Sequence, residues 1–300
     1  MKPMIIHLSP SCPLNLEFTL CCGQTFRWDK HGDWWYGVAR ERVFRIRQTS
    51  NELRFDNVNR DFVEDYFRLH DNLSIILSQI KKDKYVKAAL SQFHGLRILR
   101  QDPWECLVSY ICATYKSIAA IKGMLFNLSR KFGEKVRFDN QSFYTFPAPA
   151  RLAKASASEL TDCSLGYRTK YVSETAKRVH EEGFDFQTLT RASYEEAKKQ
   201  LMSFPGVGPK VADCVLLFSV GKLEAFPVDV WMKRVILRYY ASHLPEQLAE
   251  KVRGQRSISN SEYEKLNSFG REYFGEYAGY AQEYLYHYER VHSKSDQPSA

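Results

Sequence analysis

The stretch Leu201-Met202-Ser203-Phe204-Pro205-Gly206-Val207-Gly208-Pro209-Lys210-Val211-Ala212-Asp213-Cys214 decides how the rest of the chain is read. Helical periodicity over Tyr194 to Met202 ends near Phe204, and a second helical pattern opens at Lys210 and runs to Val220. Between them Pro205-Gly206-Val207-Gly208-Pro209 forms a hairpin, so a helix-hairpin-helix is expected over about residues 194–221. Gly206 and Gly208, with Val207 between them, leave backbone N–H groups open, and such groups at a helix start bind phosphate. An ordinary helical turn fits the same five residues, so the hairpin alone leaves DNA binding and simple packing both open.

The residues that follow add chemistry. Lys210 falls in the first turn of the second helix, where the positive end of the helix dipole disfavours an ammonium. A lysine that sheds its proton is a nucleophile. Cys214 comes four residues later on the same face, as a thiol or thiolate facing the amine or as a small buried hydrophobe. Downstream, Phe226-Pro227-Val228-Asp229 reads as an extended run whose Asp caps a helix over Val230 to Tyr240. As a cap, Asp229 is structural; across from an activated lysine, it stabilises a developing sugar cation.

Outward from this segment, 300 residues lie near the length at which one core divides, so two domains are expected. With 44% hydrophobic and 26% charged residues, the composition excludes collagen, low-complexity disorder and a disulfide mini-scaffold. The seven cysteines, Cys12, Cys21, Cys22, Cys106, Cys112, Cys163 and Cys214, are odd in number and irregular in spacing, which favours free thiols in a reducing compartment. No bilayer-crossing apolar run occurs, and Met1-Lys2-Pro3-Met4-Ile5-Ile6-His7 is too short for a signal peptide, so a soluble intracellular protein without membrane partners is expected. The net charge of +8 favours polyanions without specifying one.

Residues 15–58 alternate as antiparallel strands do, around Phe26 and Trp28, Trp34 to Val38, Phe44 and Ile46, and Leu53 and Phe55, with a turn at His31-Gly32-Asp33. After Arg60 helical patterns dominate: Phe62 to Leu69, Leu73 to Ile80, Lys84 to Phe93, Pro103 to Phe132, Ala155 to Cys163, Arg168 to Glu182 and Tyr273 to Tyr288. The expected architecture is α+β: an N-terminal antiparallel sheet domain with short helices over residues 1–100, a helical body over 101–292 and a polar tail over 293–300. Trp34, Trp35, Tyr36 and Phe44 are assigned mostly to the sheet's core, and Tyr277, Tyr280, Tyr284 and Tyr288 to helix packing. The eight histidines show no metal-ligand spacing, and no catalytic metal is expected.

The hairpin glycines, Lys210 and Pro227-Val228-Asp229 together resemble the helix-hairpin-helix DNA glycosylase superfamily. Cys22-Gly23-Gln24-Thr25-Phe26-Arg27-Trp28, Arg100-Gln101-Asp102-Pro103, Leu165-Gly166-Tyr167-Arg168 and Tyr277-Ala278-Gly279-Tyr280-Ala281-Gln282 are similar to its 8-oxoguanine branch, over nearly the whole chain. The resemblance implies excision of 8-oxoguanine from double-stranded DNA through a Lys210 Schiff base with Asp229 as electrostatic partner, accompanied by weaker strand-nicking lyase activity. It also implies that the Gly23 carbonyl accepts the N7–H of the oxidised base, that Cys214 and Tyr286 sandwich it, and that Gln282 bonds its Watson–Crick edge. Tyr167 corresponds to a wedge beside the vacated site and Arg168 to a reader of the orphaned cytosine.

Departures from the family pattern bear on DNA contacts. Tyr115-Lys116-Ser117 replaces an asparagine run, Ala120 a second cytosine-reading arginine, and Trp231 a phosphate-contacting histidine, while Tyr286 stands where phenylalanine is more typical. Relaxed selectivity for the opposite base is the expected consequence. With no cysteine after Cys214, the four-cysteine iron–sulfur site of the thymine-glycol and adenine branches is excluded, and no cofactor is expected. A structural monovalent or calcium ion on the hairpin carbonyls is left open, and a monomer is expected. The rival readings are a non-catalytic helix-hairpin-helix DNA-binding protein and a glycosylase for another oxidised base. Lys210 with Asp229 separates the first of these, because phosphate binding by hairpin amides needs neither side chain.

Overall fold

A computed structural model describes residues 3–295 of the chain. Its N-terminal part is a five-stranded antiparallel sheet of β1 (Met4–His7), β2 (Trp28–His31), β3 (Trp34–Ala39), β4 (Arg42–Thr49) and β5 (Glu52–Asp56), in the order β1-β5-β4-β3-β2. The two-residue turn Gly32-Asp33 closes the first hairpin with His31 opposite Trp34. Alternation places Phe44 and Ile46 of β4 and Leu53 and Phe55 of β5 on the inner face, all fully buried. Trp35 and Tyr36 are buried as expected, whereas Trp34 lies under the guanidinium groups of Arg45 and Arg47, 4.5 and 4.7 Å from its ring centroid. Strand β1, which pairs with β5, escapes the sequence pattern because only Ile6 of its four residues is buried.

Helix α1 (Leu16–Cys21) interrupts the expected strand region, and Phe26 lies outside any strand, against Tyr110 at 5.8 Å between ring centroids. Next come α2 (Arg60–Tyr66), α3 (Leu73–Ile80) and α4 (Lys84–Gln92), close to the expected spans. The sheet, α1 and α2 enclose one core, in which the Trp28 indole N–H donates to the Tyr66 hydroxyl at 3.1 Å. Helices α3 and α4 join a second, larger core instead, so core membership does not divide the chain at residue 100.

The helix expected over Pro103 to Phe132 is two helices, α5 (Pro103–Ala113) and α6 (Ile118–Phe132). Thr114 is extended, Tyr115 has φ +54°, and the Ser117 side chain caps α6 by accepting from the Ala120 N–H at 3.3 Å. Apolar periodicity continues across the break, which is why the break is invisible to it. A hairpin of β6 (Lys135–Phe138) and β7 (Gln141–Tyr144) follows, then α7 (Pro149–Ala153), α8 (Ala157–Thr161), α9 (Arg168–Glu181), α10 (Gln187–Arg191) and α11 (Tyr194–Met202).

Helix α12 (Pro209–Val215) passes into a π-helical turn over Leu216–Val220 that Gly221 ends at φ +90°. Then come α13 (Val230–Tyr239), α14 (Glu246–Arg253), α15 (Asn260–Phe274) and α16 (Ala278–Ser295). The last helix begins at Ala278 rather than Tyr273, because Gly275 at φ +77° ends α15 first. It runs to Ser295, so residues 293–295 of the expected polar tail are helical and 296–300 lie outside the described residues. No described helix is long and apolar enough to cross a membrane.

Candidate active site

The helix-hairpin-helix forms as expected from α11, the hairpin and α12. Gly206 sits at φ +75°, where a Cβ would approach Tyr171 Cδ2 to 2.5 Å, so glycine is required there twice over. Gly208 is the N-cap of α12, lines the cavity beside the hairpin and has open space where a Cβ would lie. Val207 turns inward into the larger core and its N–H donates to Phe204 O at 3.1 Å, so the open amide expected of it is already taken.

A cavity of about 850 Å³ opens beside the hairpin. Lys210, Cys214, Asp229, Gly23, Gln282 and Tyr286 all line it, as do Gly206, Gly208, Tyr115, Lys116 and Trp231. Six residues scattered from position 23 to position 286 thus meet in one chamber. Lys210 is half-buried, with Nζ 4.9 Å from the Tyr110 ring centroid. Cys214 is buried, and that burial pushes its thiol up to about 12 against the pull of Lys210, so of the two states open to it the neutral thiol is held.

Asp229 takes the capping place expected of it and also lines the cavity that Lys210 lines. Its Oδ1 accepts from the Trp231 and Met232 N–H groups at 2.9 Å each, capping α13, and the residue faces the Lys210 cavity. Burial pushes its carboxyl above the ordinary range, opposed by the two capping amides and by Lys210. A buried network fixes Asp229 relative to Lys210. Asp213, one turn along α12 from Lys210, accepts from Tyr194 at 2.5 Å, Tyr263 at 2.6 Å and Asn267 at 3.0 Å, with Lys198 Nζ 3.3 Å away. The Tyr263 hydroxyl in turn accepts from the Val228 N–H at 3.2 Å, and Asn267 Nδ2 donates to Phe226 O at 2.9 Å. The loop that carries Asp229 is therefore pinned to the helix that carries Lys210.

Gly23 adopts φ +111°, and a Cβ there would meet Arg290 Nη1 at 2.7 Å and the Tyr286 hydroxyl at 3.4 Å. Its loop is held on both sides. Gln24 donates to Thr19 O at 3.0 Å and Arg97 O at 2.7 Å, while Arg290 Nη2 donates to Cys21 O at 2.6 Å. Gln282 is buried, with Oε1 lacking a hydrogen-bond partner, as an acceptor waiting for a ligand donor.

Two expected DNA contacts lie beside the cavity rather than in it. Tyr167 is 58% exposed, as an intruding wedge requires. Arg168 is buried instead, donating to Thr114 O and to Leu165 O under the Tyr167 ring, which lies 4.3 Å from its guanidinium carbon. Tyr115 is 79% exposed at the kink between α5 and α6, and Lys116 beside it is exposed too. Trp231 stands half-buried with the Arg234 guanidinium 5.0 Å from its ring.

Sequence reasoning missed Tyr110, Tyr263, Glu283 and Arg290, all of which line the cavity. Glu283, Tyr286 and Arg290 follow the i, i+3, i+7 spacing of one helical face, a signal that was present. Among the described residues, no group of three or more His, Cys, Asp or Glu side chains is arranged to hold a metal ion.

Residues 6–107 match the family model of the 8-oxoguanine DNA glycosylase N-terminal domain, and residues 108–256 match the HhH-GPD superfamily base excision DNA repair protein model. An N-glycosylase/DNA lyase of Saccharomyces cerevisiae is 33% identical, covering 94% of this chain and 84% of its own. One from Arabidopsis thaliana is 30% identical, covering 91% and 76%. The crystal structure of Clostridium acetobutylicum 8-oxoguanine glycosylase/lyase, bound to double-stranded DNA with cytosine opposite 8-oxoguanine, superposes with a TM-score of 0.86 at 30% identity, covering 97% of this chain and 96% of that one. On these matches, the chain belongs to the 8-oxoguanine DNA glycosylase family of the helix-hairpin-helix superfamily.

Proposed function

We propose that this protein removes 8-oxoguanine from double-stranded DNA by base excision and then nicks the strand at the emptied sugar. The observation that carries this reading is that one cavity is lined by an amine, a carboxylate and two candidate flanks for a base: Lys210, Asp229, and Cys214 with Tyr286. Hairpin amides around Gly206 and Gly208 hold the backbone phosphate. The lesion flips into the slot, where Cys214 and Tyr286 face its two sides, Gln282 Oε1 meets its Watson–Crick edge, and the Gly23 carbonyl accepts the N7–H that guanine lacks.

The Lys210 amine attacks C1′ as the bond to N9 breaks, and the electron pair leaves with the purine. The Asp229 carboxylate stabilises the positive charge that develops on the sugar. Opening of the sugar ring gives a Schiff base on Lys210, and loss of a C2′ proton from it expels the 3′ phosphate. Amine and carboxylate supply this chemistry without a cofactor; an ion on the hairpin carbonyls would assist phosphate binding only. Opposite the lesion, the one arginine left to read the facing base, Arg168, is turned inward onto Thr114 O and Leu165 O, and Ala120 offers no donor, which supports relaxed selectivity for the facing base.

Borohydride trapping on a duplex with one 8-oxoguanine tests the assignment of the nucleophile. Wild type is expected to form a covalent adduct and Lys210→Gln none. Undiminished trapping by Lys210→Gln removes Lys210 from the role.

A further inference from the structure

Glu283 has no part in the mechanism above, yet it occupies the cavity. It follows Gln282 on α16, lines the same chamber and is 2% exposed. Its Oε1 is buried without a hydrogen-bond partner. Arg290, the cation nearest in sequence on the same helix, is committed elsewhere, with Nη2 on Cys21 O at 2.6 Å and Nη1 toward the Tyr286 hydroxyl at 3.4 Å. Glu283 acts electrostatically on both walls of the base slot, Cys214 from α12 and Tyr286 from α16, and on Tyr110 from α5. On α16 it adjoins Gln282 and comes one turn before Tyr286, the two residues of that helix proposed to hold the base, and all three line the chamber.

A structural glutamate in such a place has a cation or amide donors to balance it, and this one is left with an unmatched oxygen. The titratable groups that face it are the neutral Cys22 thiol just past α1, which hydrogen-bonds the carboxyl and leaves Oε1 without a partner, Arg290 and Asp229. Burial pushes the carboxyl up to about 7, with Cys22 and Arg290 opposing and Asp229 adding to the rise. In its protonated form the group carries an O–H that can be given away.

We propose that Glu283 is the general acid of base release. As Lys210 attacks C1′ and the C1′–N9 bond breaks, the purine takes the bonding pair and Glu283 delivers its proton to the purine. Neutral base and a Glu283 carboxylate result, and solvent reprotonates the carboxylate once the base has left. The inference rests on the glycosylase reading of the cavity. It assigns the leaving group its own partner, distinct from the nucleophile and from the carboxylate that faces the sugar.

The test uses the full chain and Glu283→Gln, which keeps the shape and removes the acid. Single-turnover base release from an 8-oxoguanine duplex is measured from about pH 5.5 to about pH 9, read after alkali. The same proteins are given a duplex with a preformed abasic site, where no base departs. Dividing wild-type rates by variant rates cancels any pH dependence that the two proteins share. The ratio is expected to be about ten to a hundred and constant below about pH 7, and to fall roughly tenfold per pH unit above it, until the two proteins meet. Nicking at the abasic site is expected to stay within about twofold of wild type.

A ratio that does not change with pH, or a parallel loss of abasic-site nicking, overturns the proposal and leaves Glu283 a structural residue. Wild type that releases no base at all overturns the glycosylase reading itself, and this proposal with it.

Discussion

Replacing Asp229 with asparagine separates the cap that the side chain makes from the electrostatic role proposed for it. Oδ1 alone makes both capping bonds, to Trp231 N and Met232 N at 2.9 Å. Asparagine retains an oxygen at that place and is itself a favoured N-cap, so the cap changes by only a few tenths of a kcal/mol. Removal of a buried charge relieves desolvation as well, because the carboxyl is held above its ordinary range by burial. The melting temperature is therefore expected to stay at or above the wild-type value.

Catalysis is affected differently. A preorganised electrostatic partner of a developing charge is worth about 3 to 4 kcal/mol in a water-poor site, which lowers single-turnover base release by about 10²- to 10³-fold. Affinity for the lesion duplex is expected to hold, since the sugar bears no charge before reaction. Asp229→Ala is the comparison. It loses the cap too and is expected to be less stable by about 1 kcal/mol. The assay is single-turnover excision with alkali work-up, beside filter binding and thermal denaturation of the same samples. Base release by Asp229→Asn at the wild-type rate refutes the electrostatic role. An equal loss of stability in both variants refutes the division of labour between cap and charge.

Three further outcomes are expected. Single-turnover excision from four duplexes that differ only in the base facing the lesion should show adenine, guanine and thymine processed at appreciable rates beside cytosine, and Ala120→Arg should restore about 1 to 3 kcal/mol of preference for cytosine; strong wild-type preference for cytosine contradicts this. Gln282→Ala should weaken binding of the lesion duplex by about 1 to 3 kcal/mol, measured on a Lys210→Gln background that cannot turn over, because the donors of the flipped base lose their acceptor. Glu283→Gln should stabilise the fold at alkaline pH: the folded carboxyl titrates at about 7, above its ordinary 4.5, so its favourable contribution is complete below 4.5 and is lost as pH rises through about 7. Thermal melts of variant and wild type should converge near pH 4 and differ by up to about 3 kcal/mol above pH 8, and a constant difference would show that the carboxyl does not titrate there.

What was legible in the sequence follows from how far each signal reaches along the chain. The helix-hairpin-helix is local, since two glycines, two prolines and flanking periodicity lie within some thirty residues, and both helices formed where those residues placed them. The β3–β5 strands were legible for the same reason, through period-two alternation and short turns. Strand β1 has one inward residue and pairs with a strand almost fifty positions away, so no local pattern marks it. The kink between α5 and α6 is encoded by the Ser117 cap, which the apolar spacing on either side concealed. It matters to the site, because it turns Tyr115 and Lys116 toward the cavity mouth.

The site itself divides likewise. Lys210, Cys214 and Asp229 stood out as candidates from spacing, with packing open for Cys214 and capping for Asp229, whereas Gly23, Gln282 and Tyr286 were reached through family resemblance, since nothing local distinguishes them from a turn glycine and helix-packing residues. Arg168 was found by position, but its inward orientation onto Thr114 O depends on the backbone break one helix away. Tyr263 and Asn267 sit on α15, a helix not anticipated, and their work is to carry hydrogen bonds between Asp213 and the Phe226–Val228 backbone. Such coupling between distant segments has no signature in one sequence.

The most direct test is incubation of the protein with a duplex carrying one 8-oxoguanine opposite cytosine, with half of each sample treated with hot alkali before denaturing electrophoresis. Strand breakage at the lesion is expected in the alkali-treated half, with a smaller fraction broken without alkali, and neither with Lys210→Gln. A lesion strand that remains intact after alkali, with the duplex demonstrably bound, would contradict this.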